Sequence, residues 1–318
     1  LFSYAIPHLL VFGMLREFTS REELKALLDK ELEGDRREKP ENNLLENTLQ
    51  IALAGEFTTT KLEVYGYPER DPQYILFVES TNLQYPYIYV RKPLSGHNIE
   101  LLNECARLLL TKYRSSIREH GKLLVVGDAE ICEAFAQQLF VILGEKFETL
   151  EPCETGVFYM TAAQREAILS VDTDAPVGFT ITPVDVDKDG ETIHRLWKYG
   201  VNVDITKDRL RHLPSICARN EKGEVVGWAM SARFGQIANL YVLPEYRNNG
   251  LGKGIEVSLA KDYARRGLRV FKFVELSNKS VFDGSLRSPH WTLWMKEDED
   301  NNDTKTPNLN YFRRFKQA

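Results

Sequence analysis

Residues 240–254 are Leu240-Tyr-Val-Leu-Pro-Glu-Tyr-Arg-Asn-Asn-Gly-Leu-Gly-Lys-Gly254. This segment changes abruptly from an apolar strand, which ends at Pro244, to a glycine-rich loop that opens a helix. The backbone amides at the start of a helix have no partners within it, and the helix dipole adds roughly half a positive charge there. The segment therefore predicts a site for an anion.

The residue types around this loop favour a phosphorylated ligand. Gly250 and Gly252 lack a Cβ atom, so a diphosphate can approach the backbone closely, and Arg247 and Lys253 add positive charge. The loop lacks the Gly-Lys-Ser/Thr ending of a Walker loop and the GxGxxG spacing of a dinucleotide site. The alternative is a left-handed turn with a purely structural role.

The pattern Arg-x-x-Gly-x-Gly after Val242-Leu-Pro-Glu-Tyr246 closely resembles the acyl-coenzyme A loop of the GNAT superfamily. The order of elements over residues 179–280 is similar to the C-terminal domain of the glycine N-acyltransferase family. Further matching segments are Leu196-Trp197, Leu213-Pro-Ser-Ile-Cys217, Gly223-Glu-Val-Val-Gly-Trp228 and Val274-Glu-Leu-Ser-Asn278. The resemblance implies an α/β fold with a mixed sheet, in which a GNAT domain follows a smaller, degenerate GNAT-like domain.

The resemblance also implies a reaction and a cofactor site. An acyl group would pass from acetyl-coenzyme A, or another acyl-coenzyme A, to the amine of glycine or another small amino acid, without a metal. Backbone amides of residues 239–242 would stabilise the oxyanion. Residues 248–252 would hold the diphosphate, Val242 and Leu243 would border the pantetheine arm, and Asn278 would bind that arm from the far side. The expected cofactor-binding residues are Val242, Leu243, Arg247, Asn248, Asn249, Gly250, Leu251, Gly252, Lys253 and Asn278.

The catalytic positions depart from the family pattern. The family's proposed glutamate base corresponds to Gln236, whose neutral amide cannot accept a proton but can orient a water molecule. Gln236 and Tyr241 are the candidate catalytic residues, with His194 and His212 as substitutes for the base. Two other functions therefore stay open: a protein N-acetyltransferase with the same cofactor site, and a catalytically weak module that binds coenzyme A.

Two domains are predicted after a poorly defined apolar N-terminus, residues 1–18. Residues 19–170 alternate strands and helices and lack an Arg-x-x-Gly-x-Gly loop, and residues 177–318 form the acyltransferase domain. Within the first domain, Thr19 to Leu32 predicts a capped helix and residues 33–43 a loop. At the C-terminus, Phe312-Arg-Arg-Phe315 predicts a final edge strand, with an amino-acid carboxylate as the alternative partner of its arginines.

Charge and composition restrict the partners. A net charge of -5 argues against a nucleic-acid surface. The four cysteines are far apart and form no CxxC pair, which argues against zinc and favours a reduced intracellular protein. The apolar N-terminus is too short for a membrane helix. We expect a small-molecule amine as the partner, in the cytoplasm or, by the resemblance, in mitochondria. The oligomeric state is open.

Overall fold

Two successive α/β halves share one mixed sheet in the computed structural model, which describes residues 13–93, 96–144, 147–297 and 305–318. Residues 1–12 of the predicted apolar N-terminus lie outside the described residues. None of the described helices combines the length and apolar character needed to cross a membrane.

The first half alternates strands and helices as expected. Its strands are β1 Arg16–Phe18, β2 Lys61–Tyr67, β3 Tyr74–Ser80, β4 Tyr87–Arg91, β5 Lys122–Gly127, β6 Phe147–Thr149 and β7 Cys153–Tyr159. Its helices are α1 Arg21–Glu31, α2 Asn43–Ala54, α3 Ile99–Lys112, α4 Arg114–His120, α5 Ala129–Leu143 and α6 Ala162–Leu169.

The second half repeats this order. Its strands are β8 Phe179–Pro183, β9 Ser215–Asn220, β10 Val225–Ser231, β11 Ile237–Val242, β12 Phe271–Glu275, β13 Thr292–Leu293, β14 Met295–Glu297, β15 Lys305–Pro307 and β16 Leu309–Gln317. Its helices are α7 Val186–Leu196, α8 Val203–His212, α9 Leu251–Arg265 and α10 Lys279–Arg287.

The main sheet has the order β1-β2-β3-β4-β5-β16-β7-β12-β11-β10-β9-β8. Among the described strands, only β4–β5 and β11–β12 pair in parallel. The predicted edge strand at residues 312–315 is therefore wrong in its position: β16 lies in the middle of the sheet, between β5 and β7. The Phe315 side chain of β16 is buried in the core of the first half.

Strand pairing crosses the predicted domain boundary in both directions. β7, from the first half, pairs with β12, and β16, from the end of the chain, pairs with β5. Each half thus lends one strand to the other, and the sheet continues without an interruption. The boundary between residues 170 and 177 stays a prediction.

Local sequence explains the first helix, but not the second. Ser20 accepts a hydrogen bond from the Glu23 amide, and the Glu23 side chain accepts from the Ser20 amide, which forms the capping box expected before α1. Residues 33–43 were predicted as a loop. They contain two short 3-10 helices, and α2 begins at Asn43. The reason is tertiary, because Leu45 and Leu49 of α2 are fully buried against the sheet.

Candidate active site

The glycine-rich loop forms an uncapped helix start at the end of β11. Gly250 is the N-cap residue of α9 and makes no side-chain capping bond. The first bond within the helix runs from the Gly254 amide to the Gly250 carbonyl, over 3.1 Å, so the amides of residues 251–253 precede it. Asn248 and Gly250 have φ angles of 64° and 80°, which asparagine and glycine tolerate better than other residues. The loop therefore presents amides that an anion can bind.

The glycines of this loop have different reasons to be glycine. At Gly250 the left-handed backbone is the reason. At Gly252 an added Cβ would meet only Val242 Cγ2, at 3.9 Å, so nothing in the described protein requires the absence of a side chain there. At Gly254, by contrast, a Cβ would lie 2.9 Å from Ile181 Cδ1, because α9 packs against β8. Open space above Gly252 fits a ligand that approaches its backbone.

The other predicted loop residues have identifiable positions. Arg247 Nε donates to the Val242 carbonyl over 2.9 Å, which fixes the loop, while the side chain stays largely exposed. Val242 and Leu243 are half-buried against the α9 core. The remaining predicted residues of the loop differ in exposure: Leu251 is buried in that core, Gly252 is half-buried, and the exposed residues are Asn248, Asn249, Gly250 and Lys253.

Asn278 lies at the end of the loop after β12 and is exposed. Its Oδ1 accepts from the Val281 amide over 3.4 Å and caps α10. This gives Asn278 a structural role that the sequence interpretation missed. Its predicted contact with a pantetheine arm stays a prediction.

β11 and β12 separate next to this loop and open a cavity. Their parallel pairing is limited to Ile237 with Lys272. On the other side of β11, Asn239 and Leu240 together oppose the single residue Ala229, which makes a β-bulge, and Asn239 has a φ of 50°. A bulge turns backbone groups out of the ladder, so this strand can present amides to a ligand between β11 and β12.

The cavity has a volume of about 680 Å³ and is lined by both halves of the chain. Ala238 and Asn239 of β11 face Phe273 and Glu275 of β12 across it. The remaining wall residues include aromatic and cationic side chains from β4, β5, β16, the loop between α7 and α8 and the loop between β10 and β11, among them Tyr87, Lys122, Trp197, Tyr199, Arg233, Phe312 and Arg314. A volume of this size is typical of small-molecule sites.

The predicted catalytic residues have unequal positions. Gln236 lines the cavity, but it is buried and its Oε1 accepts from the Phe234 amide over 3.2 Å, so it also holds the turn before β11. Tyr241 is not among the lining residues. Its ring packs against Trp228, with ring centres 5.1 Å apart, and lies under the Arg247 guanidinium. The structure therefore separates Tyr241 from the cavity.

The histidines considered as substitute bases also lie outside the cavity lining. His194 hydrogen bonds to Thr206 Oγ1 over 2.9 Å, and His212 lies 3.3 Å from the Asp208 carboxylate. The first contact joins α7 to α8, and the second lies within α8. Neither imidazole therefore lies at the cavity between β11 and β12.

One carboxylate, that of Glu275, is present among the described residues that line the cavity. The sequence interpretation gave Glu275 no role. Tyr199 donates a hydrogen bond to Glu275 Oε1 over 2.5 Å. Burial, reinforced by this bond, raises the pKa of Tyr199, so the phenol keeps its proton at neutral pH. Burial likewise raises the pKa of Cys153 in the same wall, which makes a thiolate nucleophile unfavourable. Glu275 lies in the matching segment Val274 to Asn278 but was given no chemistry there, and Tyr199 lies two residues beyond the matching segment Leu196-Trp197.

The corresponding places in the first half are built differently. Asn98 caps α3 by accepting from the amides of Glu100 and Leu101, and Glu100 adds a negative side chain to the first turn. β4 and β5 pair over three residues, Tyr87 to Tyr89, and a cavity of about 860 Å³ at the ends of these strands is lined by Arg91, Asp128 and other residues from both halves. No group of described residues in either half could hold a metal ion.

Known proteins share this architecture. Residues 216–282 match the family model described as FR47-like protein. A Drosophila protein superposes with a TM-score of 0.71 over 96% of this chain and 99% of its own, at 14% identity. A putative acetyltransferase from Pyrococcus horikoshii gives 0.53 over 99% and 94%, at 10% identity. A tandem GNAT protein from the clavulanic acid biosynthesis pathway gives 0.51 over 95% and 98%, at 12% identity. The chain therefore has the GNAT fold, in two GNAT-like halves on one mixed sheet.

Proposed function

We propose that the chain is an acyl-coenzyme A-dependent N-acyltransferase whose second half binds the acyl donor and whose acceptor is a small amine, most simply an amino acid. One combination of features beside the separation between β11 and β12 carries this proposal. The start of α9 is uncapped and lined by glycines, and the cavity next to it contains a carboxylate. The GNAT fold and the FR47-like match support an acyltransferase enzyme with an acyl-coenzyme A substrate.

The donor would bind along this separation. The amides of residues 248–252 suit the diphosphate, because they are free and Gly252 leaves room above them. The irregular backbone at Asn239 suits the thioester carbonyl, since amides turned out of the ladder can stabilise an oxyanion. The acyl group then extends into the cavity. The proposed acyl group is acetyl or a larger acyl group.

Glu275 would accept the proton of the attacking amine. The nitrogen forms a bond to the thioester carbon, the carbon–sulfur bond breaks, and the amine proton passes to Glu275. Tyr199 holds that carboxylate and, as a neutral phenol, can supply a proton to the leaving thiolate and regain one from Glu275. Gln236 is excluded from this role by its chemistry, because an amide cannot accept the proton.

Purified full-length protein should release thiol from acetyl- or benzoyl-coenzyme A when glycine or another amino acid is added. Glu275→Gln should lower kcat by about 100-fold or more, the usual contribution of a general base, and leave coenzyme A affinity within about twofold. Glu154→Gln is the matched control, since Glu154 is an exposed residue of β7 that does not line the cavity.

Two results would select the other functions. Acylation of basic peptides, without acylation of free amino acids, would identify a protein N-acetyltransferase. Binding of coenzyme A without thiol release for any amine would identify a binding module, which is the function favoured by the amide at position 236. The enclosure of the cavity by both halves supports the small acceptor over a peptide.

A further inference from the structure

The cavity opposite the acyl-donor loop has a strong excess of positive charge. Its lining contains Lys122, Lys198, Arg233 and Arg314, but Glu275 is the carboxylate among the lining residues. Lys122 and Lys198 are exposed residues at the mouth. The two arginines are half-buried or deeper and come from different parts of the fold: Arg233 from the loop between β10 and β11, and Arg314 from β16.

Arg233 is a deeply buried cation that stacks on the Tyr87 ring, 3.1 Å from its centre, and shares its carboxylate partner with a second arginine. Its side chain is 10% exposed, and its Nε lies 3.1 Å from Glu79 Oε2. The same Glu79 also pairs with Arg209, so two guanidinium groups share one carboxylate. Arg233 Nη1 is buried and has no hydrogen-bond partner among the described residues. Because an unpaired buried donor on a cation is costly, this arrangement favours an anion from outside the protein.

Arg314 is the second cation of this group. Its guanidinium lies 4.7 Å from the centre of the Tyr199 ring, and it forms no ion pair with any of the described residues. Arg233 keeps its positive charge at neutral pH, although burial lowers its pKa to about 10, with a smaller contribution from Arg314. The two arginines line the same cavity.

Tyr199 connects the cationic and the anionic parts of the cavity. Its ring lies against Arg314, and its hydroxyl donates to Glu275 over 2.5 Å. A positive and a negative side chain therefore contact the two ends of one tyrosine. The two charges that an α-amino acid requires of its site are therefore present in the wall of one cavity.

We propose that Arg233 and Arg314 form a carboxylate subsite, which holds the carboxylate of an α-amino acid acceptor while its amine lies at Glu275. This inference rests on the proposed function and gives its acceptor class a structural basis. Arginine suits the task because its planar fork binds a carboxylate through two parallel hydrogen bonds.

The test compares acceptors with and without the carboxylate. The wild-type protein should use glycine at least about tenfold better than glycinamide, judged by kcat/KM, since a hydrogen bond to a charged group is worth about that factor. Arg314→Gln should reduce this preference to within about threefold and leave the KM for acetyl-coenzyme A unchanged. Arg233→Lys, which keeps the charge beside Glu79 but loses the planar fork, should reduce it in the same direction.

Arg313→Gln is the matched control. Arg313 is the neighbour of Arg314 on β16, but its guanidinium lies on the α5 side, 4.0 Å from Glu133 Oε2, and it does not line the cavity. The preference for glycine should survive this change. A preference that survives Arg314→Gln and Arg233→Lys as well, or an equal use of glycine and glycinamide by the wild type, would overturn the subsite.

A binding measurement separates this inference from the proposed function. By calorimetry, N-acetylglycine should bind at least about tenfold more tightly than N-acetylglycinamide to the wild type, and about equally to Arg314→Gln. If no amine supports thiol release but this difference is seen, the proposed function fails and the subsite stands. If Glu275-dependent turnover occurs without any carboxylate preference, the subsite fails and the proposed function stands. A change confined to donors with an acidic acyl group, such as succinyl-coenzyme A, would place the carboxylate on the donor and overturn the proposal.

Discussion

Gly252 offers a test in which folding and ligand binding should respond in opposite directions. Its φ lies outside the left-handed region, and an added Cβ would meet only Val242 Cγ2, at 3.9 Å. The protein itself therefore has room for the Cβ of alanine or of valine. Each of them, however, would occupy the space through which we expect the diphosphate to reach the amides of the first helical turn.

The expected magnitudes follow from this geometry. Gly252→Ala should leave the free energy of unfolding unchanged or raise it by up to about 1 kcal/mol, because glycine is a poor helix former. Gly252→Val should displace the diphosphate from at least one amide. A hydrogen bond to a charged oxygen contributes about 1.5–3 kcal/mol, so the Kd for coenzyme A should rise about tenfold or more.

Thermal or urea unfolding with and without coenzyme A measures both effects in one experiment. At a ligand concentration of about 100 times the wild-type Kd, the wild type should gain about 2.7 kcal/mol, whereas a variant with tenfold weaker binding should gain only about 1.4 kcal/mol. Gly254→Ala is the control, since its Cβ would contact Ile181 rather than the ligand space. It should keep the wild-type gain from coenzyme A.

One result would refute this reasoning about the loop. If Gly252→Val is as stable as the wild type and gains as much from coenzyme A, no ligand approaches the backbone at residue 252. The open space there would then have no bearing on the donor, and the diphosphate would have to bind elsewhere.

Three further predictions concern other residues. Gln236→Glu should change kcat by less than about threefold, because Glu275 accepts the proton; a gain of 100-fold in the thiol-release assay would assign the base to residue 236 instead. Asn47→Ala should cost about 3 kcal/mol or more in urea unfolding, because Asn47 makes hydrogen bonds of 2.8 Å to the Gly235 carbonyl and to both backbone groups of Arg269; a cost below about 1 kcal/mol would contradict this. Burial would raise the pKa of Asp208, but hydrogen bonds from Thr59 and Thr58 lower it. The ionised Asp208 carboxylate therefore stabilises the folded protein above the unfolded pKa of about 3.9, and this stabilisation is lost as the pH falls through the folded pKa. Asp208→Asn should be less stable than wild type at pH 7, and the difference should shrink towards pH 3; a constant difference in unfolding free energy would be inconsistent with this.

Local sequence was sufficient for the donor side of the site. The apolar strand, the loop glycines and the α9 stripe are contiguous, and their physics depends on neighbours in the chain. The helix start at residues 250–251 therefore appears where the pattern predicts it, and Gly250 has the left-handed backbone that favours glycine. At the corresponding helix of the first half, α3, Asn98 caps the first turn instead.

The acceptor side could not be predicted because it is assembled from distant segments. Tyr199, Arg233, Glu275 and Arg314 meet in one cavity only after β16 has entered the sheet between β5 and β7. The sequence indicated a strand at residues 312–315, but not its neighbours. Strand order within a sheet depends on long-range packing, about which alternation of residues says nothing. The sequence alone therefore could not predict that Arg314 of β16 lines the cavity.

The first half contributes to the cavity although it has no donor loop. Tyr87 of β4 and Lys122 of β5 line the cavity together with Arg314 of β16, and Asn47 of α2 binds the turn that positions Arg233 and Gln236. The first half thus forms the wall opposite the donor loop and fixes the loop that carries one of the two arginines. Changes such as Asn47→Ala should consequently weaken acceptor use more than coenzyme A binding, because α9 and its free amides belong to a different hydrophobic cluster.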